Sequence, residues 1–306
     1  MSVEVLARAK INLHLGVGRL GADGYHEIVS VMQSVDLADT VTVAASGAGA
    51  AGPVVAFTRA PGYVGPLPEP PDLVERALGR YAAEGPGAAF SATVTKAIPM
   101  GAGLAGGSAD AAAALLGAAS LDPSPPPRER LEALCRRLGA DVLFCLRGGT
   151  ALVEGWGNLV SPLPSPHRLW WVLGISSFPL GTAEVYRRFD ELGLEGAAGD
   201  GSGRPGRPER PVRLAKALVA GHPKEVAACL RNDLEAPAFD LAPTLPALKK
   251  ELLSAGAIAA IMSGSGPTIA GLCRNEAHVE EVAARAAAAF DRVEVVASAE
   301  LGAEVL

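Results

Sequence analysis

Four glycines crowd seven positions, Gly101, Gly103, Gly106 and Gly107, with Ser108 directly after them and an alanine-rich run beyond. Glycines at that density let successive backbone N–H groups converge on one anion without interference from Cβ atoms. A helix opening there adds unpaired N–H groups and the positive end of its dipole, so the stretch reads as a phosphate cradle. Ser108 is placed to cap that helix or to bond a phosphate. Gly101-Ala102-Gly103-Leu104-Ala105-Gly106 also satisfies the dinucleotide pattern G-x-G-x-x-G. A dinucleotide fold wants a second strand ending in an acidic residue about 20 positions on, and this chain offers a proline run at 123–127 instead. The G-x-x-x-x-G-K-[ST] loop of common NTPases is absent.

Other residues of chemical interest lie far from this loop. Lys10, Asn12 and His14 alternate with apolar neighbours, so on a strand they would share one face. By pattern alone a solvated face is the plainer reading, and a pocket wall is the alternative. Tyr25 and His26 follow the reversal Ala22-Asp23-Gly24, and an aromatic beside a histidine at a loop tip suits base stacking with hydrogen bonding. Asp141 stands at a helix end before the apolar Val142-Leu143-Phe144, where a cap or turn residue is the ordinary reading. Ser263-Gly264-Ser265-Gly266-Pro267-Thr268 is a second glycine-serine turn, able to close over a nucleotide or to make a tight hairpin.

The elements that must position these groups follow from periodicity. Strands are predicted over 3–9, 28–37, 40–44, 54–58, 90–94, 150–154, 170–175, 257–262 and 292–297. Helices are predicted over 73–83, 128–138, 212–220, 223–231, 246–255 and 278–290, besides the one after the glycine loop. Pro99 stops the strand that leads into the loop. Residues 142–144 read as a strand or turn, 16–27 as a turn-rich loop, 46–72 as a surface excursion and 196–211 as a mobile loop. The change of style over 156–169 marks a domain boundary, giving domains of 1–155 and 156–306.

Composition narrows the function classes. With 306 residues and 49% hydrophobic content the chain supports a full core. A net charge of −6 without a Lys/Arg block argues against nucleic acid as a partner. No apolar run approaches the roughly 20 residues that span a bilayer, and no signal-peptide pattern opens the chain, so no membrane association and a cytoplasmic location are expected. Cys135, Cys145, Cys229 and Cys273 lack metal-ligand spacing and read as buried thiols; His167, His222 and His278 read as surface residues.

Three segments together carry a resemblance: Ala9-Lys10-Ile11-Asn12-Leu13, Pro99-Met100-Gly101-Ala102-Gly103-Leu104-Ala105-Gly106-Gly107-Ser108, and Ser263-Gly264-Ser265-Gly266. Their order and spacing resemble the GHMP small-molecule kinases. Ala22-Asp23-Gly24-Tyr25-His26-Glu27, Leu138-Gly139-Ala140-Asp141-Val142, Thr182-Ala183-Glu184-Val185-Tyr186 and Asn232-Asp233-Leu234-Glu235 are similar to the branch of that family acting on a cytidine-diphosphate ester of methylerythritol. The likeness runs from about residue 7 to 300.

The resemblance implies a two-domain α+β GHMP kinase fold. Its N-terminal domain would be like domain 2 of ribosomal protein S5 and its C-terminal domain an α/β sandwich, with the active site between them. It implies phosphorylation of an alcohol with ATP and Mg²⁺, the metal ligands being unknown. Asp141 is then the base and Lys10 its catalytic neighbour. ATP is held by 99–108, that is Pro99, Met100, Gly101, Ala102, Gly103, Leu104, Ala105, Gly106, Gly107 and Ser108, with Lys96 nearby. Asn12 contacts the sugar-alcohol hydroxyls, Tyr25 and Tyr186 sandwich the cytosine, His26 bonds its polar edge, and Thr182 joins the substrate site. The protein is expected as a monomer or weak homodimer. Three places depart from the family pattern: Ala105 stands where glycine is frequent, Ala109 replaces a second serine so that hydroxyl contact there rests on Ser108, and Asp72 stands where an asparagine near the nucleotide is common. Homoserine or mevalonate as substrate, a non-catalytic nucleotide sensor, and, more remotely, a dehydrogenase are the competing readings.

Overall fold

A computed structural model describes the chain except for residues 23, 47–51, 64, 85–88, 179 and 195–207. It opens with a long antiparallel hairpin, β1 (Ser2–Leu20) and β2 (His26–Ala45). There follow β3 (Val54–Arg59), α1 (Leu73–Glu84), β4 (Phe90–Lys96), α2 (Gly106–Leu121), α3 (Arg128–Leu138), α4 (Val142–Arg147), β5 (Thr150–Gly155) and β6 (Leu159–Pro162). The second half holds β7 (Trp170–Ile175), α5 (Thr182–Glu191), α6 (Val212–Ala220), α7 (Pro223–Ala227), β8 (Arg231–Asn232), α8 (Glu235–Leu241), α9 (Leu245–Ala255), β9 (Ala259–Met262) and β10 (Ile269–Cys273). It closes with α10 (Glu276–Ala286), β11 (Arg292–Ala297) and β12 (Ala303–Val305).

The first sheet runs β12-β1-β2-β4-β3; β5 pairs with β2 further along the strand, β6 with β5, and the short β8 lies parallel to β1. The second sheet is antiparallel, β11-β7-β10-β9. The organising element is β1, whose odd positions from Val3 to Val17 are all apolar, the period-2 pattern of a strand with one buried face. Three bulges against β2, between Arg8 and Lys10, Asn12 and His14, and Val17 and Leu20, bend it along its length. The bent strand serves three cores in turn. Val5 and Ala7 pack beneath α2 and α1, Ala9, Ile11 and Leu13 meet the second sheet at Trp171 and Leu173, and Leu15 and Val17 reach the helical layer of α5, α8, α9 and α10.

The helix after the glycine loop, α2, lies on β1 and β2, and its alanines are the reason it lies so close: Ala111 to Ala114 are fully buried. At Gly117 a Cβ would sit 2.6 Å from Val43 Cγ2, so only glycine admits this approach.

Several expectations are corrected. Residues 142–147 form α4; a short apolar run fits a buried helix as well as a strand, and periodicity cannot separate the two. The loop predicted over 16–27 narrows to a tight turn, because both strands of the hairpin extend into it. The cut expected after residue 155 falls inside the β5–β6 hairpin, and β8 and β12 return to the first sheet, so that cut does not separate the two sheets. His278 is buried and accepts the Arg274 N–H, and Cys229 is half-buried. The loop over 196–211 falls mostly outside the described residues, as do Asp23 and parts of 46–72. Among the described residues no helix is long and apolar enough to cross a membrane.

Candidate active site

The three motifs that lie far apart in sequence meet around one ammonium group. Lys10 Nζ donates to Asn12 Oδ1 at 2.8 Å and to the Gly103 carbonyl at 2.9 Å, and lies 3.9 Å from Asp141 Oδ2. Asn12 donates onward to Ser30 Oγ, whose hydroxyl donates to the His14 carbonyl. Lys10 and Asn12 are 4% and 2% exposed, so the solvated-face reading is wrong for them: the glycine loops cover this side of β1. His14 is buried as well but does not line the cavity, and its Nε2 has no hydrogen-bond partner.

The two glycine turns touch backbone to backbone. Ser263 Oγ donates to the Gly103 carbonyl at 2.9 Å, and a Cβ at Gly103 would sit 2.2 Å from the Ser263 carbonyl oxygen. The 263–268 turn is both things the sequence allowed: it joins β9 to β10 as a tight hairpin and presents Gly264 and Ser265 to the cavity. Asn232 holds it in place, donating to the carbonyls of Met262 and Gly264 at 2.7 Å each.

In the first glycine loop Gly101, Gly103 and Ala105 take positive φ of 67°, 77° and 58°. Ala105 bears a left-handed conformation that glycine adopts more cheaply, at a cost of roughly 1 kcal/mol. That residue is the N-cap of α2, and no side chain caps the helix, so the capping role allowed for Ser108 is not taken up. Gly106, Gly107 and Ser108, whose N–H groups begin the helix without intrahelical acceptors, line the cavity, which also takes in Pro99, Met100, Ala102 and Ala105. Leu104 departs from the expectation. Its side chain is buried in the core between the sheets, and its carbonyl accepts the Lys10 N–H.

Lys96 lines the cavity as well, but its ammonium is already engaged. Only 1% exposed, its ammonium is clasped by Asp39 and by Asp110, the latter at 2.6 Å, and Asp39 also accepts the Ala97 and Ile98 N–H groups. Burial opposes the charge on Lys96, but the two carboxylates outweigh it and raise its pKa. Burial pushes Asp110 well above the usual carboxylate range; Lys96 opposes this shift and Asp39 adds to it. A Cβ at Gly106 would lie 3.3 Å from Lys96 Nζ, so the lysine supports the loop from beneath.

Asp141 stands at the head of α4, where its side chain makes no capping bond and stays partly exposed on the cavity wall. The cavity, about 1040 Å³, continues to an aromatic region. Tyr25, 63% exposed at the hairpin tip, has its ring 6.1 Å from that of Trp156. Tyr186 lies 5.2 Å from the His26 ring, and burial, with the Asp141 charge adding, pushes its phenol up, so it stays neutral. His26 Nδ1 is 2.9 Å from the Gly18 carbonyl and Nε2 3.4 Å from Asp190 Oδ1. Thr182 and Ser265 share a 2.9 Å hydrogen bond. Asp72 caps α1 through the Val74 and Glu75 N–H groups, and its Oδ2 is left without a partner.

Sequence reasoning therefore missed Trp156, Asp190, Asp110 and Asp39. Trp156 sat in a stretch taken for a boundary. Asp190 is four residues past Tyr186, a spacing that puts both on one helix face once α5 is read as a helix. The Asp39–Lys96–Asp110 cluster draws on three elements and leaves no local signal.

Residues 72–149 match the GHMP kinases N terminal domain and 214–292 the GHMP kinases C terminal domain. A 4-diphosphocytidyl-2-C-methyl-D-erythritol kinase of Nocardia farcinica is 39% identical over 291 residues, covering 94% of this chain and 90% of that one. One of Thermobifida fusca is 40% identical over 289 residues, covering 92% and 91%. A crystal structure of 4-(cytidine 5'-diphospho)-2C-methyl-D-erythritol kinase superposes with a TM-score of 0.76 at 31% identity, covering 96% of this chain and 98% of that one. A homoserine kinase from Cytophaga hutchinsonii, at 20% identity and a TM-score of 0.75, shares the fold. By these likenesses the chain belongs to the GHMP kinases and, within them, to the 4-diphosphocytidyl-2-C-methyl-D-erythritol kinase family.

Proposed function

We propose that this protein transfers the γ-phosphoryl group of ATP to the C2 hydroxyl of 4-diphosphocytidyl-2-C-methyl-D-erythritol, giving the 2-phosphate and ADP. The observation that carries the reading is the Lys10–Asp141 pair at the meeting of β1, the glycine loop and the head of α4. Asp141 takes the hydroxyl proton as the oxygen attacks the γ-phosphorus, and the bond from that phosphorus to the bridging oxygen of ADP breaks. Lys10, fixed by Asn12 and Gly103, offers positive charge to the developing alkoxide. The N–H groups at the start of α2 receive the phosphates. Asn12 meets the methylerythritol hydroxyls, while Tyr25 and Tyr186 hold the cytosine, each stacking contact contributing about 1 to 3 kcal/mol. Homoserine or mevalonate would offer nothing for those rings to hold.

Magnesium belongs to this reading. Mg²⁺ is usually held by one or two carboxylates together with substrate phosphates. Asp110 Oδ1 is a buried oxygen on the cavity wall with no hydrogen-bond partner, so this carboxylate fits the ion. Asp110 would hold it, and a bound cation favours the ionised carboxylate. When present it neutralises charge on the β- and γ-phosphates.

The test is ADP release from ATP and Mg²⁺ with the cytidyl substrate, homoserine or mevalonate, for the wild type and Asp141→Asn. Turnover of the cytidyl substrate alone is expected, with kcat falling about 10²- to 10⁴-fold in the variant while substrate binding persists. Phosphorylation of a different alcohol would overturn the substrate assignment. Full activity in the variant would overturn the role of Asp141, and no turnover of any alcohol would favour a nucleotide sensor.

A further inference from the structure

The segment Asn232-Asp233-Leu234-Glu235 places no polar side chain on the cavity wall, yet each of its polar side chains is engaged. On one side it joins β1. Asn232 lies opposite Leu15 in the parallel pairing, the Asp233 N–H donates to the Leu15 carbonyl at 2.9 Å, and Asp233 Oδ2 accepts the Val17 N–H at 3.0 Å. On the other side it grips the end of β9. Met262 donates its N–H to Glu235 Oε1 at 2.9 Å, and its carbonyl accepts from Asn232 Nδ2 at 2.7 Å. Asn232 Nδ2 also donates to the Gly264 carbonyl at 2.7 Å, and Asn232 Oδ1 accepts the Leu234 N–H. Carbonyls can only accept and an N–H can only donate, so the amide has one orientation here. Gly264, held in this way, roofs Lys10. A Cβ on it would sit 3.2 Å from Lys10 Nζ, 3.3 Å from the Gly103 carbonyl oxygen and 3.5 Å from Asn12 Oδ1, which are the ammonium and both of its acceptors. The neighbouring Ser263 Oγ donates to the same Gly103 carbonyl at 2.9 Å.

We propose that Asn232 is a positioning residue for Lys10: by holding the 263–268 turn against β1 it sets the place of the Gly103 carbonyl and, through that carbonyl, the direction of the ammonium. The inference rests on the assignment of Lys10 to the reacting oxygen made above. An ammonium has three hydrogens, and Asn12 and Gly103 take two of them, so their placement fixes where the third points. Asn12 rides on β1 with the lysine, whereas Gly103 belongs to a loop that leans on the second turn. Asn232 refers that turn back to β1, being paired with Leu15 through its backbone and with Gly264 through its side chain. Loss of the amide leaves the carbonyls of two buried residues without their donor, and the turn must shift to find another. A displacement of about 1 Å at a reacting group can lower turnover about 100-fold.

The test is a double-mutant cycle on the rate of phosphoryl transfer, read in single turnovers with radiolabelled ATP and the cytidyl substrate. Asn232→Ala and Lys10→Met are made singly and together. With Lys10 present, Asn232→Ala is expected to slow transfer about 10- to 100-fold. In the Lys10→Met background the same change is expected to slow it about threefold or less, because the group it positions is gone. Equal slowing in both backgrounds overturns the inference and leaves the segment a support of the fold alone; a wild-type rate in Asn232→Ala overturns it as well. If Lys10→Met by itself transfers at the wild-type rate, the assignment of Lys10 fails and takes the inference with it. Should Asn232→Ala not fold, Ser263→Ala carries the cycle, since it removes one hydroxyl from the same roof. Slowing of about three- to tenfold confined to the enzyme that keeps Lys10 is expected there, and slowing that is absent or independent of Lys10 overturns the inference.

Discussion

A buried histidine on β1 is the residue whose chemistry reaches furthest beyond the site. His14 is 6% exposed, and burial lowers its pKa to about 4 from an ordinary 6.5, with Arg231 adding to the shift and Asp233 opposing it. The folded protein therefore refuses a proton that the unfolded chain accepts below pH 6.5. Stability from this residue is complete above about pH 6.5, declines as pH falls, and levels off below about 4; the total loss is roughly 3 kcal/mol. His14→Gln, which cannot titrate, removes that contribution. Urea unfolding of both proteins between pH 7 and 4 is expected to show the wild type losing more stability than the variant. Parallel losses would mean that the acid sensitivity lies elsewhere. Alternation of Lys10, Asn12 and His14 was plain in the sequence, yet the fate of each was not: Lys10 and Asn12 line the cavity, and His14, further along the strand, does not.

At the scale of elements, the site depends on two glycine turns pressed together, and glycine is needed there for two separable reasons. Gly101 and Gly103 both have positive φ, but nothing lies within 4 Å of a Cβ at Gly101, whereas one at Gly103 would strike the Ser263 carbonyl. Gly101→Ala should cost only the left-handed strain, about 1 kcal/mol. Gly103→Ala should add the displacement of the second turn, about 2 to 4 kcal/mol in all, and lower turnover because the Gly103 carbonyl also orients Lys10. Denaturant midpoints and kcat for the two variants check this; equal effects would show that the turn contact is unimportant. The first glycine loop was legible because density of one residue type signals backbone geometry directly. That α4 is a helix, and that it aims Asp141 at Lys10, was not: Val142-Leu143-Phe144-Cys145-Leu146 is apolar throughout and has no periodicity to read. The partners of Lys96 were hidden for a related reason: Asp39 and Asp110 arrive from other elements, and nothing beside the lysine in sequence announces them.

For the whole molecule, the chain's last strand bears on chemistry set up in its first half. β12 pairs with β1 through Val5–Val305, Leu6–Glu304 and Ala7–Ala303, just upstream of Lys10. The segment entering β12 is packed against the end of α4 so closely that a Cβ at Gly302 would lie 2.0 Å from the Cys145 carbonyl oxygen, and one at Gly148 would lie 1.8 Å from the Gly302 nitrogen. The C-terminal segment thus clamps both the strand that carries Lys10 and the helix that carries Asp141 at its head. A sequence reading that divides the chain at a change of composition does not see such a return, because only backbone pairing brings residue 303 to residue 7. A chain truncated after Ser298 is expected to lose about 3 kcal/mol, from roughly three ladder hydrogen bonds at about 1 kcal/mol each. Its kcat should fall more than its KM for the cytidyl substrate changes, since the aromatic region is untouched while the Lys10–Asp141 pair loses its support. Unfolding curves and steady-state kinetics on the truncated protein measure both quantities. Wild-type stability together with wild-type turnover would show that the returning strand is dispensable and that the first half organises its catalytic pair alone.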